Sequence, residues 1–396
     1  MKIGVDATCW GNKRGYGRFT RELLEALVRV DKTNEYVFFV DNETAAENKL
    51  PESVRTVVAQ TSASPSKAAA AGGSRSLGDI WSMSRSVMQH PVDIFFFPTM
   101  YSYFPIFNKT KVVVTLHDMI ADNYPRLTFP DPKSRLFWRL KQRVAVSQAS
   151  VIATVSDYSK SQIMRHFKLP RARLRLISEA AQPIFGVKEA GSDRDAVLLR
   201  YGLNAADEFL LYVGGISPHK NLSKLVEAFD RILNKSDRGY KLVLVGDYKD
   251  DPFFSAYPSL REQIAELGIE GSVIFTGFVP DDDLVHLYNA ATLLVLPSLD
   301  EGFGLPAIEA MSCGTPVAAS DRGSLPEVLG EAGAYFNPLN ADDIASVVGS
   351  LLGDDARRGE LAGLGLRRSR LFKWDRAAEQ TLSIFNELEG SSPKHG

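Results

Sequence analysis

Two glutamates eight positions apart, Glu301 and Glu309, frame the stretch of this chain richest in usable chemistry. Between them lie Gly302, Phe303, Gly304, Leu305 and Pro306, and ahead of them an apolar run, 293–296, with the length of a strand buried on both faces. Pro306 suits the start of a helix, Gly314 stops it, and 316–319 reads as the next strand. At such a helix start the amides of Phe303, Gly304 and Leu305 have no partner inside the helix, so they favour negative charge or sugar oxygens. Gly302 and Gly304 allow the backbone to approach a ligand closely. The carboxylates are better matched to neutral hydroxyls than to an anion. A ligand with phosphates beside polyhydroxylated rings, such as a nucleotide-sugar, meets both demands. The same spacing also describes a surface helix with a glycine turn and solvated glutamates.

A second stretch, 212–222, ends a strand in Gly214 and Gly215 and sets Lys220 just before a helix expected over 222–233. Lys220 there can reach phosphate oxygens; a solvated lysine is the alternative. Gly15, Gly17 and Arg18 fall between the first strand and its helix. Thr20 stands where a dinucleotide fingerprint needs its third glycine, so the glycines by themselves indicate a tight turn. His117 and Asp118 close the strand 111–116, and strand C-terminal ends are where open α/β sheets keep their sites. Asp118 either orients the imidazole or caps the next segment. Ser156 reads as a helix N-cap. Asp281, Asp282 and Asp283 suit the positive end of a helix dipole, and no metal is expected.

These residues need a scaffold, and apolar strands alternate with amphipathic helices almost throughout, which predicts an α/β fold with parallel sheets. Strands are expected at 2–6, 36–40, 54–58, 92–97, 111–116, 151–155 and 174–177, then at 209–213, 241–245, 272–276, 293–296, 316–319 and 334–336. Periodicity stops around 182–188. The domains expected are therefore 1–186 and 187–372. The stretch 62–76, poor in large apolar residues, reads as a loop of unusual length for a compact domain, disordered or a lid.

With 396 residues and 44% hydrophobic content the chain can build two cores. A formal net charge of -2 offers no global attraction to nucleic acid. Cys9 and Cys313 have neither disulfide-framework nor zinc spacing, which fits a reducing cytoplasm. The first six residues read as a strand rather than a signal sequence, and no apolar run approaches the roughly 20 residues of a membrane span. The segment 133–143 interleaves Lys133, Arg135, Arg139, Lys141 and Arg143 with Leu136, Phe137, Trp138 and Leu140. It is either a core-facing helix with a solvated basic face or an interfacial anchor giving peripheral membrane contact at the inner face.

The run from Glu301 to Glu309, continued by 314–317 and 323–327, resembles the E-x7-E signature of retaining glycosyltransferases of family 4, which have the GT-B fold of two Rossmann-like domains facing a cleft. The resemblance covers most of the chain. It implies a C-terminal helix, about 373–390, that crosses back to the first domain, and a nucleotide-sugar donor bound mainly to the second. It implies that Glu309 holds ribose hydroxyls, that Glu301 and the Phe303–Leu305 amides hold the sugar, and that Lys220 meets the diphosphate. Gly15 and Gly17 would face donor phosphates and acceptor, and His117 would hydrogen-bond the transferred sugar. Many members carry an arginine where this chain has Gly215. The forms around His117 and Lys220 resemble mannosyl- and related transferases of polysaccharide assembly. The expected donor is GDP-mannose, with rhamnose or glucose donors next, and the acceptor a glycan or lipid-linked sugar. No cofactor is expected. An epimerase or phosphorylase of similar architecture, or a non-catalytic nucleotide-sugar binding subunit, are the competing readings.

Overall fold

The computed structural model describes residues 1–63, 76–129, 131–248 and 255–390. The stretch read as a long loop over 62–76 lies, for 64–75, outside the described residues. The chain divides into two compact units, 1–179 with 373–396, and 180–372.

The first unit is built on a seven-stranded sheet: β1 (Lys2–Asp6), β2 (Glu35–Asp41), β3 (Arg55–Ala59), β4 (Ile94–Phe97), β5 (Lys111–Thr115), β6 (Val151–Thr154) and β7 (Leu174–Leu176). Their order is β3-β2-β1-β4-β5-β6-β7, with every pairing parallel. Strands such as β4, Ile-Phe-Phe-Phe, are apolar at consecutive positions because helices cover both faces. One face carries the core of Phe39, Phe95, Phe97 and Val114 beneath Met83, Val87, Ala145 and Val146. On the helix Gly15–Val30, Phe19, Leu23, Leu24 and Leu27 form the buried stripe. The C-terminal helix Trp374–Gly390 belongs to this unit and packs on that helix. Trp374 meets Phe19 edge-on at 5.9 Å, and Phe385 meets Phe96 at 5.7 Å.

The second unit has six parallel strands, β8 (Phe209–Val213), β9 (Lys241–Val245), β10 (Val273–Gly277), β11 (Leu293–Leu296), β12 (Val317–Ser320) and β13 (Gly333–Phe336). Their order is β10-β9-β8-β11-β12-β13. Strand order reverses direction between β1 and β4 in the first sheet and between β8 and β11 in the second. Such switch points open a crevice at the strands' carboxyl ends, where loops diverge to opposite sides.

The helix Asp355–Ser369 is absent from the sequence reading, as are Leu77–Gln89 and Ser192–Arg200. In Asp355–Ser369 the glycines at 359, 363 and 365 resemble a turn in sequence. Gly365 in fact lets the helix lie close on Leu305–Ser312, for a Cβ there would stand 3.0 Å from the Met311 side chain.

Candidate functional site

At the second sheet's switch point, β8 and β11 each deliver a loop. The β8 end turns at Gly214, whose φ of +152° suits glycine, and a Cβ there would meet the Tyr212 hydroxyl at 2.7 Å. That hydroxyl donates to the Gly215 carbonyl at 2.8 Å. A short 3-10 turn, Pro218–Lys220, then leads to Asn221 in the left-handed conformation (φ +60°) and the helix Leu222–Leu233. The Asn221 amide donates to the carbonyls of Pro297, at 3.0 Å, and Pro338, at 2.7 Å, just beyond β11 and β13. The Leu299 amide donates to the His219 carbonyl at 2.9 Å. Three strand ends are thereby tied together.

The tie brings Lys220 and Glu301 into one ion pair, Nζ to Oε1 at 2.6 Å, with both side chains mostly buried. Ser298 donates its hydroxyl to the same Oε1 at 2.7 Å. Burial alone would raise the Glu301 pKa. The Lys220 charge and hydrogen bond, the Ser298 bond and His219 outweigh it, so the carboxyl lies below its ordinary range. His219 has its Nδ1 buried without a hydrogen-bond partner. Burial, then the Lys220 charge, brings its pKa down to about 3 against the opposing pull of Glu301, so the ring is neutral at physiological pH.

After Glu301 the chain reaches the helix Leu305–Ser312 through Gly304, whose φ is +102°. No side chain caps this helix, so its first amides are left to other acceptors. The loop is held from behind by Ser324, whose hydroxyl donates to the Phe303 carbonyl at 2.8 Å and whose amide donates to the Glu301 carbonyl at 3.2 Å. Gly323, at φ +69°, presses so close that a Cβ would stand 2.6 Å from the Glu301 nitrogen. Gly302, Phe303, Gly304 and Leu305 are all buried, and the Phe303 ring meets Phe372 edge-on at 5.7 Å. Glu309 sits differently from Glu301. It is fully buried in the helix and accepts from the Tyr288 hydroxyl at 2.8 Å.

In the first unit, His117 follows β5. Its Nε2 lies 3.0 Å from the Pro98 carbonyl beyond β4, and its Nδ1 lies 3.3 Å from Glu179 Oε1. Both ring nitrogens therefore face acceptors, and a ring with one proton can donate to only one of them. Phe19 packs edge-on against the imidazole at 4.7 Å. Asp118 accepts on its Oδ1 from the amide of Ile120, the first residue of the short helix Ile120–Asn123, at 2.9 Å. Gly15 and Gly17 lie in the first turn of the helix Gly15–Val30. Gly17 is required by space, since a Cβ would come within 2.1 Å of the Asn12 carbonyl oxygen. Ser156 caps the helix Asp157–Phe167 through the Ser159 amide at 3.0 Å. Asp281, Asp282 and Asp283 occupy the first turn of Asp281–Ala290, and Asp283 takes Arg200 and the Tyr201 hydroxyl.

Sequence reasoning thus placed Lys220 and Glu301 separately but not as partners. It gave no individual role to Ser298, Asn221, Gly323 or Ser324. The signal for the last two was present in the run from Gly323 to Glu327.

Residues 13–180 match the family described as Glycosyltransferase Family 4, and residues 194–362 match Glycosyl transferases group 1. The chain is 34% identical over 282 residues to the O-antigen chain mannosyltransferase B of Escherichia coli, covering 70% of this chain and 71% of that protein. It is also 34% identical over 288 residues to the serotype-specific mannosyltransferase WbdA of E. coli, covering 71% of this chain but only 34% of that longer protein. Among solved structures, a sucrose-phosphate synthase from Thermosynechococcus elongatus aligns over 99% of this chain and 100% of its own, with TM-score 0.76 and 21% identity. Anabaena HepE in complex with UDP and glucose aligns over 98% and 100%, with TM-score 0.73 and 20% identity. These likenesses show a fold of GT-B type.

Proposed function

This chain belongs to glycosyltransferase family 4, and from that premise we propose that it transfers mannose from GDP-mannose, with retention, to a glycan or lipid-linked acceptor in polysaccharide assembly. The observation that carries the reading is the Lys220–Glu301–Ser298 cluster at the switch point of the second sheet, beside an uncapped helix start. The mannose assignment rests on the two E. coli mannosyltransferases.

In the proposed reaction an acceptor hydroxyl oxygen bonds to the anomeric carbon. The bond from that carbon to the diphosphate breaks, and the nucleoside diphosphate leaves with the electron pair. The acceptor's proton passes to a leaving phosphate oxygen, on the same face of the sugar, so no side-chain nucleophile is assigned. Lys220 is the residue best suited to meet charge building on the diphosphate, an electrostatic role worth several kcal/mol in such sites. While no donor is bound, Glu301 holds that ammonium in place. Donor phosphates take it over, and Glu301 is then free to accept from sugar hydroxyls. The amides of Phe303, Gly304 and Leu305 supply the uncapped helix start, and Gly214, Gly215, Gly302, Gly15 and Gly17 are assigned to backbone approach. His117 is assigned to the transferred sugar. Glu309 is assigned to the ribose, which requires its Tyr288 bond to be shared or exchanged. No metal is assigned a role, and activity is expected to persist in a chelator. We place the reaction in the cytoplasm, with peripheral membrane contact through 133–143; no described helix is long and apolar enough to cross a membrane.

The test is thermal unfolding with a panel of nucleotides and nucleotide-sugars, on the wild type and Lys220→Ala. A ligand at about 100 times its dissociation constant adds roughly 2.7 kcal/mol to the native state. A shift with GDP and GDP-mannose that disappears in the variant supports the reading, and nuclear magnetic resonance of the product reads the anomeric configuration. No shift with any nucleotide would overturn it.

A further inference from the structure

The helix Trp374–Gly390 reaches the imidazole of His117 by two routes, and both lie inside the first unit. One is apolar. Trp374 meets Phe19 edge-on at 5.9 Å, and Phe19, with no exposed surface, meets the His117 ring edge-on at 4.7 Å. The other is polar. Gln380, further along the same helix, accepts on its Oε1 from both the amide and the hydroxyl of Ser178, at 2.9 Å and 3.0 Å. One residue earlier, the Ile177 amide donates to the Thr154 carbonyl at the end of β6, at 2.9 Å. Glu179 is the next residue, buried between buried Ile177 and Ala180. With Ile177 and Ser178 both fixed, the backbone that carries Glu179 has little freedom. Its Oε1 stands 3.3 Å from His117 Nδ1, and both side chains are mostly buried.

Hydrogen arithmetic at the ring says what this carboxylate does. His117 lies between two oxygens, since the Pro98 carbonyl is 3.0 Å from Nε2. A neutral imidazole has one N–H and one lone pair, so against two acceptors one nitrogen faces an oxygen with no proton between them. One further proton removes that clash. Imidazole holds a proton more tightly than a carboxylate does, so the proton belongs to the ring. The arrangement that satisfies all four atoms is an imidazolium, donating from Nδ1 to Glu179 and from Nε2 to Pro98.

We propose that Glu179 is a positioning residue for His117: by holding a proton on Nδ1 it keeps Nε2 a donor, and the C-terminal helix sets its place through Gln380 and Ser178. The proposal rests on the assignment of His117 to the transferred sugar. In that role the Nε2 proton leaves the Pro98 carbonyl for a sugar hydroxyl oxygen, while Glu179 and Phe19 keep the ring in place. A sugar hydroxyl can donate or accept; against this ring it has to accept.

Two measurements on the full chain test it. The first is nitrogen-15 magnetic resonance of the six histidines, with the His117 signals identified as those missing from His117→Asn. The wild type is expected to carry protons on both ring nitrogens at neutral pH. Glu179→Gln is expected to carry one on Nε2 alone, because the new side-chain amide can donate to Nδ1. A single proton in the wild type, or two in Glu179→Ala, overturns the pairing. The second is calorimetric affinity for GDP-mannose relative to GDP. That ratio is expected to fall about tenfold in Glu179→Ala, the worth of one hydrogen bond, and to return near the wild-type value in Glu179→Gln. Gln380→Ala, acting through Ser178, is expected to lower it about threefold. GDP affinity itself stays unchanged in all three variants. An unchanged ratio in Glu179→Ala, or a ratio as low in Glu179→Gln, overturns the positioning role, and a wild-type ratio in Gln380→Ala overturns the part given to the C-terminal helix. If the wild type binds neither nucleotide, the donor-site reading fails instead, and the spectrum still decides the pairing.

Discussion

Glu301 and Glu309 belong to one motif and one short stretch of chain, yet the fold treats them in opposite ways. Glu301 lies in a loop, holds the cation of Lys220 and takes a hydroxyl from Ser298. Glu309 lies inside a helix with no exposed surface and takes a hydroxyl from Tyr288. An ion pair at the end of a loop can be exchanged for a ligand's charge, because the lysine keeps a partner throughout. A carboxylate enclosed by helix and tyrosine is held as part of the packing. The difference teaches that a spacing of glutamates fixes which side chains are available, while the partner each one finds decides how readily it can be given up.

The largest effect is expected from Lys220→Ala. It removes the cation from the leaving diphosphate and leaves the Glu301 carboxylate without its counter-charge. Transfer should fall at least ~100-fold, and stability by about 3 kcal/mol, as for a broken buried pair. Turnover within a few-fold of wild type would show that the pair is only structural. Tyr288→Phe should cost about 2 kcal/mol in urea unfolding by removing one donor from the buried Glu309 carboxylate. Its GDP affinity should change less than that of Lys220→Ala. If GDP binding suffers more, the enclosed glutamate outweighs the ion pair in holding the nucleotide and the contrast fails.

Gly323→Ala tests the backbone behind Glu301. With φ at +69° and the new Cβ at 2.6 Å from the Glu301 nitrogen, it should cost about 1–2 kcal/mol and weaken GDP-mannose more than it disturbs Glu309. Equal affinity for the donor would mean the loop tolerates displacement.

The last effect appears only in acid. His219 has its pKa brought down to about 3 by burial and by Lys220. Between the ordinary histidine range and that value, the unfolded chain takes a proton that the native ring refuses. Its contribution to stability is therefore complete above about pH 6.5 and is lost as pH falls towards 3. Glu301, where Lys220 outweighs burial and depresses the pKa, adds its loss as pH falls from the ordinary carboxylate range downward. His219→Gln should flatten the upper part of this decline, and a slope identical to wild type would place the ring in contact with water.

Much of the scaffold is readable in the sequence because buried parallel strands are apolar at consecutive positions and punctuated by glycine. Thus 209–213 and 293–296 are expected and found, and α/β architecture with them. Glu301, Lys220 and the glycine loop are readable through a motif. Their pairing is not, since it depends on which strands are neighbours, and β8 and β11 are far apart in the chain. The helix Asp355–Ser369 escaped notice because glycine serves close helix packing as well as turns. The enclosure of Glu309 escaped it too, because Tyr288 arrives from another helix.

Asn221 carries a consequence for speed. Its single amide joins the end of β8 to the carbonyls beyond β11 and β13, so the loop entropy at this edge is lost when the unit folds rather than when a ligand arrives. Under the proposed function the Lys220 ammonium is then handed from carboxylate to phosphate by side-chain rotation, without the loop rearrangement that takes nanoseconds to microseconds.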